Sequence, residues 1–204
     1  MKVLIVAKTR MGQLACVGGL TRDNQNVRLL QLDGLSQPLH TDYEIGDLWD
    51  MKLLPCQETE PPHVEDVLVN RTACVYLGKV KNPKHLLMDR VKIWQGGVTS
   101  LYDGLVCFTE NGSGYICRWA GLPRQSVGFW LADQALRRVD SEKKIRYQYP
   151  RKDGLALITY VGFAQPVEIL PVGTLLRVSL ARWWKPEGSE MEERCYLQLS
   201  GWYL

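Results

Sequence analysis

The sequence predicts a mostly β protein: two OB-like small barrels in tandem, with one short helix near the middle. Three observations carry that expectation. Short runs rich in Val, Ile, Tyr, Trp and Thr recur along the whole chain, each closed by Gly, Pro, Asn or Asp. One segment has clear start and stop signals for a helix. Strands do not alternate with helices, and no repeat of fixed period or low-complexity segment appears. A partly open five-stranded barrel of the OB type commonly carries one short helix at its base, so about ten strands make two of them. From pattern alone, a single larger barrel or sandwich fits the same strand count. A length of 204 residues suits one large domain or two small ones. The two-barrel reading divides the chain into residues 1–100, with a helix over 83–95, and residues 101–204.

The elements follow in order. Residues 2–8 (KVLIVAK) form an apolar run closed by a polar turn, and residues 14–19 (LACVGG) and 27–34 (VRLLQLDG) end in Gly or Asp-Gly. Lys8, Thr9 and Arg10 fall after the first strand, where barrels of this type often bind ligands. Residues 46–56 read as a strand, 57–66 (QETEPPHVED) as an acidic proline-containing loop, and DVLV and residues 72–80 resume the extended pattern. In NPKHLLMDRVKIWQGG, Asn82 is a good N-cap, and Pro83 sits where its missing N–H costs nothing. Leu87, Val91 and Trp94 recur at helical spacing before Gly96. Residues 105–109 and 115–119 flank the loop ENGSG and predict a hairpin. VGFWLA (127–132) reads either as a strand or as the start of a helix reaching Val139. KIRYQYP and residues 155–163, 174–184 and 194–204 read as strands.

Composition narrows the functional class. Apolar residues at 46% and charged residues at 23% are ordinary for a globular chain. No run approaches the roughly 20 apolar residues of a membrane-spanning helix, and MKVLIVAK is too short for a signal-peptide core. A cytoplasmic protein with no membrane partner is expected. Cys16, Cys56, Cys74, Cys107, Cys117 and Cys195 are scattered, without a C-x-x-C pair or a histidine at ligand spacing. They read as small buried thiols and not as metal ligands. His40, His63 and His85 belong to no catalytic motif, GGLTRD lacks the phosphate-loop lysine, and ENGSG lacks the nucleophile elbow. Glu65 and Asp66 read as solvated loop acids. The expectation is a non-enzymatic binding module without metal or cofactor.

The net charge of +3 hides a strong asymmetry. Residues 118–152 hold nine Lys/Arg against three Asp/Glu, whereas the parts before and after are close to neutral or slightly acidic. A local patch of this kind attracts a polyanion even when the whole chain is nearly neutral. Arg118, Arg137, Arg138, Lys143, Lys144, Arg146, Arg151 and Lys152 are the candidate phosphate contacts. Strand alternation places Ile145, Tyr147 and Tyr149 on the core face with Lys143, and Lys144, Arg146 and Gln148 on the other. The stretch thus offers charge without a stacking surface.

The rings lie near the C-terminus. In TLLRVSLARWW, Arg177, Ser179, Ala181 and Trp183 share the face opposite Leu176, Val178 and Leu180. In RCYLQLSGW, Arg194, Tyr196, Gln198, Ser200 and Trp202 lie opposite Cys195, Leu197 and Leu199. Joined as an antiparallel hairpin through residues 185–193, the two mixed faces form one surface. Trp183, Tyr196 and Trp202, flanked by Arg177 and Arg194, would stack unpaired bases while cations hold the phosphates. Aromatic and arginine residues are also what protein interfaces prefer, so a seam between the barrels fits the same residues.

LIVAKTRMGQLACVGG, YEIGDLWDMKL followed by PPHVEDVLV, and the pair RVSLARWW and RCYLQLSGWY together resemble the dual OB-containing domain family. The resemblance spans almost the whole chain and is weakest over roughly residues 84–150. It implies two OB-like barrels and a nucleic-acid or ligand-binding role, often beside prokaryotic defence genes, and it carries no catalytic residue. Two functions are therefore weighed: binding of single-stranded DNA or RNA, and a protein-interaction scaffold or subunit of a larger complex. A small-ligand sensor using a barrel mouth is a weaker third.

Overall fold

The computed structural model describes residues 1–141 and 144–204, so Lys143 of the candidate cationic strip lies outside the described residues. The chain is mostly β and divides into two compact units, Met1–Val91 with Tyr203, and Lys92–Trp202 with Leu204. Each is an OB-like barrel built from one sheet.

The first unit contains β1 (Lys2–Met11), β2 (Leu14–Thr21), β3 (Asn26–Leu30), β4 (Gln37–Pro38), β5 (Asp47–Asp50), β6 (Leu53–Pro55), β7 (Asp66–Val69) and β8 (Val75–Lys79). They run in the order β6-β7-β3-β2-β1-β5-β8, with β4 paired to β2. Val3, Ile5, Val17, Leu29, Tyr43, Trp49 and Met51 form its core. Lys8, Thr9 and Arg10 belong to β1 and not to a loop, because pairing with β2 continues to Met11 opposite Leu14. Lys8 is buried, and its ammonium donates to Glu44 at 2.6 Å and to the Thr41 carbonyl at 2.9 Å.

The helix is shorter than its periodicity predicts. It covers α1 (Pro83–Arg90), with Asn82 capping it by accepting from the Lys84 N–H at 3.1 Å. Val91 is already extended, and Ile93–Gly96 form β9, which pairs parallel to a later strand with Trp94 opposite Trp130. Tertiary pairing thus overrides the helical spacing of Val91 and Trp94, and Leu87 is the one fully buried residue of α1. Arg90 closes the helix by donating to Asn24 at 2.7 Å and to the carbonyls of Thr21 and Arg22 at 2.8 and 2.7 Å. Replacing it by methionine keeps the aliphatic stem and removes these donors. The expected loss is about 1–3 kcal/mol of unfolding free energy, read by urea titration; an unchanged midpoint would show that other contacts dock the helix.

The second unit continues with β10 (Cys107–Phe108), β11 (Gly114–Cys117), β12 (Val127–Ala132), β13 (Leu136–Ser141), β14 (Lys144–Arg151), β15 (Gly154–Tyr160), β16 (Ile169–Leu170), β17 (Leu175–Leu180) and β18 (Arg194–Tyr203). Their order is β16-β13-β14-β15-β18-β17-β12-β9, with β11 joining β10 and β18. The two readings of residues 127–132 resolve to strand β12, and residues 136–141 form β13 instead of a helix. The core gathers Trp130, Tyr147, Tyr149, Ile158, Leu176, Val178, Leu197 and Leu199. Among the described residues, no helix is long and apolar enough to cross a membrane.

Candidate nucleic-acid interface

Strand register joins the two halves that the sequence keeps apart. Val139 on β13 faces Arg146 on β14, Arg146 faces Thr159 on β15, and Thr159 faces Gln198 on β18. Directly opposed residues share a face, so Arg137, Val139, Lys144, Arg146, Gln148, Leu157 and Thr159 lie on the same surface as Gln198, Tyr196 and Arg194. None of these ten is buried. Tyr147, Tyr149, Ala156, Ile158, Leu197 and Leu199 fill the opposite, core face. The alternation of 144–149 is therefore as the sequence predicts, and its cations share a face with the C-terminal strand, one strand away across β15.

Only part of the predicted cationic set faces this surface openly. Arg138 lies opposite buried Tyr147, and its guanidinium is held by Asp140 at 2.8 and 2.7 Å and by Glu168 at 3.3 Å. The Asp140 hydrogen bond raises the arginine's pKa further above its ordinary value. Arg151 is also on the core side, with its guanidinium 3.7 Å from the Phe108 ring and paired to Asp153. That hydrogen bond holds the Asp153 carboxyl below the usual carboxylate range. These two arginines are neutralised locally, which corrects their expected role as open phosphate contacts. Arg137 and Lys152 are exposed and Arg146 half-buried, and among the described residues none of the three has a carboxylate partner. Arg146 Nε is buried without a hydrogen-bond partner.

The ring-bearing surface also differs from expectation. The hairpin is present: Trp184 N–H donates to the Arg194 carbonyl at 3.1 Å, and Arg194 N–H donates to the Trp184 carbonyl at 2.9 Å. Arg177, however, is only 3% exposed. Strand β17 lies between β18 and β12, and Arg177 stands opposite the fully buried Phe129, so both faces of this strand are covered. Trp202 packs onto the core, with its ring 5.1 Å from Tyr160 and 6.0 Å from Tyr147. Alternation along β18 holds through Gln198 and fails at Ser200, which is buried and hydrogen-bonds Ser179 at 2.7 Å. Arg177 and Trp202 are thus not part of an outward platform.

What remains is a cluster around the start of β18. Arg118 opens the 3-10 turn Arg118–Ala120 and places its guanidinium 4.3 Å from the half-buried Trp183 ring, with Glu193 at 4.0 Å. Arg194 lies 4.1 Å from the Tyr115 ring and donates to Glu192 at 3.2 and 3.0 Å. Tyr115, Tyr196 and Trp184 continue as ring contacts with centroids 6.1 Å apart. Trp184 is 54% exposed and Trp119, in the 3-10 turn, is 70% exposed. Sequence reasoning missed both. Alternation was carried from β17 into residues 181–184, but the strand ends at Leu180, and it is the second tryptophan of the pair that faces solvent. A tryptophan at the very end of the predicted strand 115–119 was the available signal for Trp119, since β11 ends at Cys117 and leaves it in the turn.

The sequence's solvated acids are also corrected. His63, Glu65 and Asp66 are buried in the first unit, where Asp66 accepts from Arg28 at 3.0 Å and His63 Nδ1 lies 3.5 Å from the same guanidinium. Among the described residues, no group of three or more His, Cys, Asp or Glu is placed to hold a metal ion.

The family model of the dual OB-containing domain matches residues 1–202. Among solved structures, the Ifi202 HINa domain in complex with 20-bp dsDNA is similar at 10% identity, with 100% of this chain and 96% of that chain covered and a TM-score of 0.39. A murine DNA-binding protein bound with ds DNA is similar at 8% identity over 98% of this chain and 90% of that one, with a TM-score of 0.35. The p204 HINb domain is similar at 10% identity over 98% and 95%, with a TM-score of 0.34. No curated protein matches in sequence.

Proposed function

The chain belongs to the dual OB-containing domain family, and from that premise we propose that its second unit binds single-stranded DNA or RNA as a non-enzymatic module. The observation that carries this reading is the shared register of β13, β14, β15 and β18, which puts the cations Arg137, Lys144 and Arg146 on the same face as Tyr196. Arg137, Lys144, Arg146 and Lys152 attract the phosphate backbone. Trp184, Trp119 and Tyr196 offer rings to unpaired bases, with Arg118 and Arg194 beside them as planar cations. Service in a prokaryotic defence system, which the family resemblance implies, and a cytoplasmic location, expected from the sequence, are part of the same reading.

If those four cations each meet one phosphate, affinity for a single strand falls about 50-fold between roughly 50 and 200 mM salt. Fluorescence anisotropy with labelled single-stranded DNA, single-stranded RNA and duplex DNA checks this. Salt-independent affinity, or no binding at the lower salt, would overturn the reading, and equal affinity for duplex would remove the single-strand preference.

A second reading is favoured by the acids. Glu192 and Glu193 sit on Arg194 and Arg118, and Trp119, in the turn that follows β11, and Leu122 are both exposed. A neutralised aromatic surface fits a protein partner, and such a complex would survive the higher salt.

A further inference from the structure

Cys107 on β10 and Cys117 on β11 lie on strands that pair antiparallel. Cys107 stands opposite Tyr115, so Cys117, two residues further along, projects to the same face. The two groups are near enough that Cys107 acts electrostatically on the Cys117 thiol. Cys117 is fully buried, and burial pushes its pKa up, which keeps it a thiol. Cys107 is half-exposed, with its sulfur 3.9 Å from the Leu105 carbonyl oxygen. The other cysteines are placed differently. Cys16 contacts Arg28, Cys56 approaches the Glu58 carbonyl, Cys74 approaches the Asn70 carbonyl, and Cys195 stands opposite Ile116 on the core face of the sheet.

We propose that Cys107 and Cys117 form a reversible dithiol–disulfide pair, in which Cys107 reacts first with a peroxide and Cys117 resolves the product. The Cys107 thiolate attacks one oxygen of hydrogen peroxide, the O–O bond breaks, and a sulfenic acid and hydroxide form. The hydroxide takes up a proton and becomes water. The Cys117 sulfur then attacks the Cys107 sulfur as the S–O bond breaks, and the released hydroxyl leaves as water with the Cys117 proton. One peroxide is reduced to two waters while two thiols become one disulfide, and a thiol such as dithiothreitol reverses the step by exchange.

The pair has a structural output. Cys117 directly precedes the 3-10 turn Arg118–Ala120 as its N-cap residue. Disulfide formation ties the residue that leads into the turn presenting Arg118 and Trp119 to β10. The chemistry of the pair is independent of whether that turn meets nucleic acid.

Peroxide treatment of the reduced full-length protein, followed by alkylation with N-ethylmaleimide, digestion and mass spectrometry, tests the assignment. The expected result is one linked peptide joining Cys107 to Cys117, with the other four cysteines alkylated and both thiols restored by dithiothreitol. In Cys117→Ser, dimedone traps a sulfenic acid on Cys107; in Cys107→Ser, residue Cys117 gives no adduct. Full alkylation of both cysteines in the peroxide-treated wild type, or a link between another pair, overturns the proposal. A dimedone adduct on Cys117 in Cys107→Ser overturns the order of reaction.

Discussion

Replacing Asp66 by alanine is expected to lower the unfolding free energy by about 3–5 kcal/mol, because it strands a buried guanidinium. Arg28 on β3 and Asp66 on β7 stand opposite each other in a parallel pair, and Arg28 Nη1 donates to Asp66 Oδ1 at 3.0 Å. Both side chains are almost entirely withdrawn from water. The attraction between them offsets a desolvation cost that neither group alone would recover, so removing one partner leaves that cost exposed. Urea unfolding of the wild type, Asp66→Ala, Arg28→Met and the double variant checks the account. The double variant should be less destabilised than the sum of the singles, because neither charge then lacks the other. Asp153→Ala, which breaks a surface pair with Arg151, should shift the midpoint far less. An Asp66→Ala effect no larger than that of Asp153→Ala would show that the buried pair does not hold β3 to β7.

The reach of the sequence follows from how local each determinant is. Alternation along residues 144–149 was legible because β14 has one covered and one open face, and the same holds for β18 through Gln198. It misled along β17, where neighbours on both sides and covered faces leave even Arg177 buried. Periodicity placed the start of α1 correctly, since Asn82 and Pro83 act within the first turn. It missed the end, because pairing of Trp94 with Trp130 is decided by a strand more than thirty residues away. The Arg28–Asp66 pair was likewise invisible: nothing local to QETEPPHVED says that β7 will lie parallel to β3. The shared surface of cations and rings needed three successive strand registers. Its ingredients were legible one strand at a time, while their juxtaposition was not.

Two tryptophans of the C-terminal hairpin should separate binding from folding. Trp184 engages Arg194 through backbone hydrogen bonds, which an alanine preserves, and its exposed ring touches Tyr196. Trp184→Ala should therefore leave urea unfolding nearly unchanged and weaken single-strand binding by about 1–3 kcal/mol, roughly 5- to 150-fold. Trp202 packs on Tyr160 and Tyr147 at the core. Trp202→Ala should cost roughly 3 kcal/mol of stability through the cavity it leaves, while the folded fraction keeps its affinity. Anisotropy and urea titration on both variants read the two quantities independently. If Trp184→Ala binds like the wild type, the exposed ring is no stacking residue, and the cations alone account for any affinity. If Trp184→Ala instead unfolds as readily as Trp202→Ala, the hairpin tip is a structural element whose ring the fold requires.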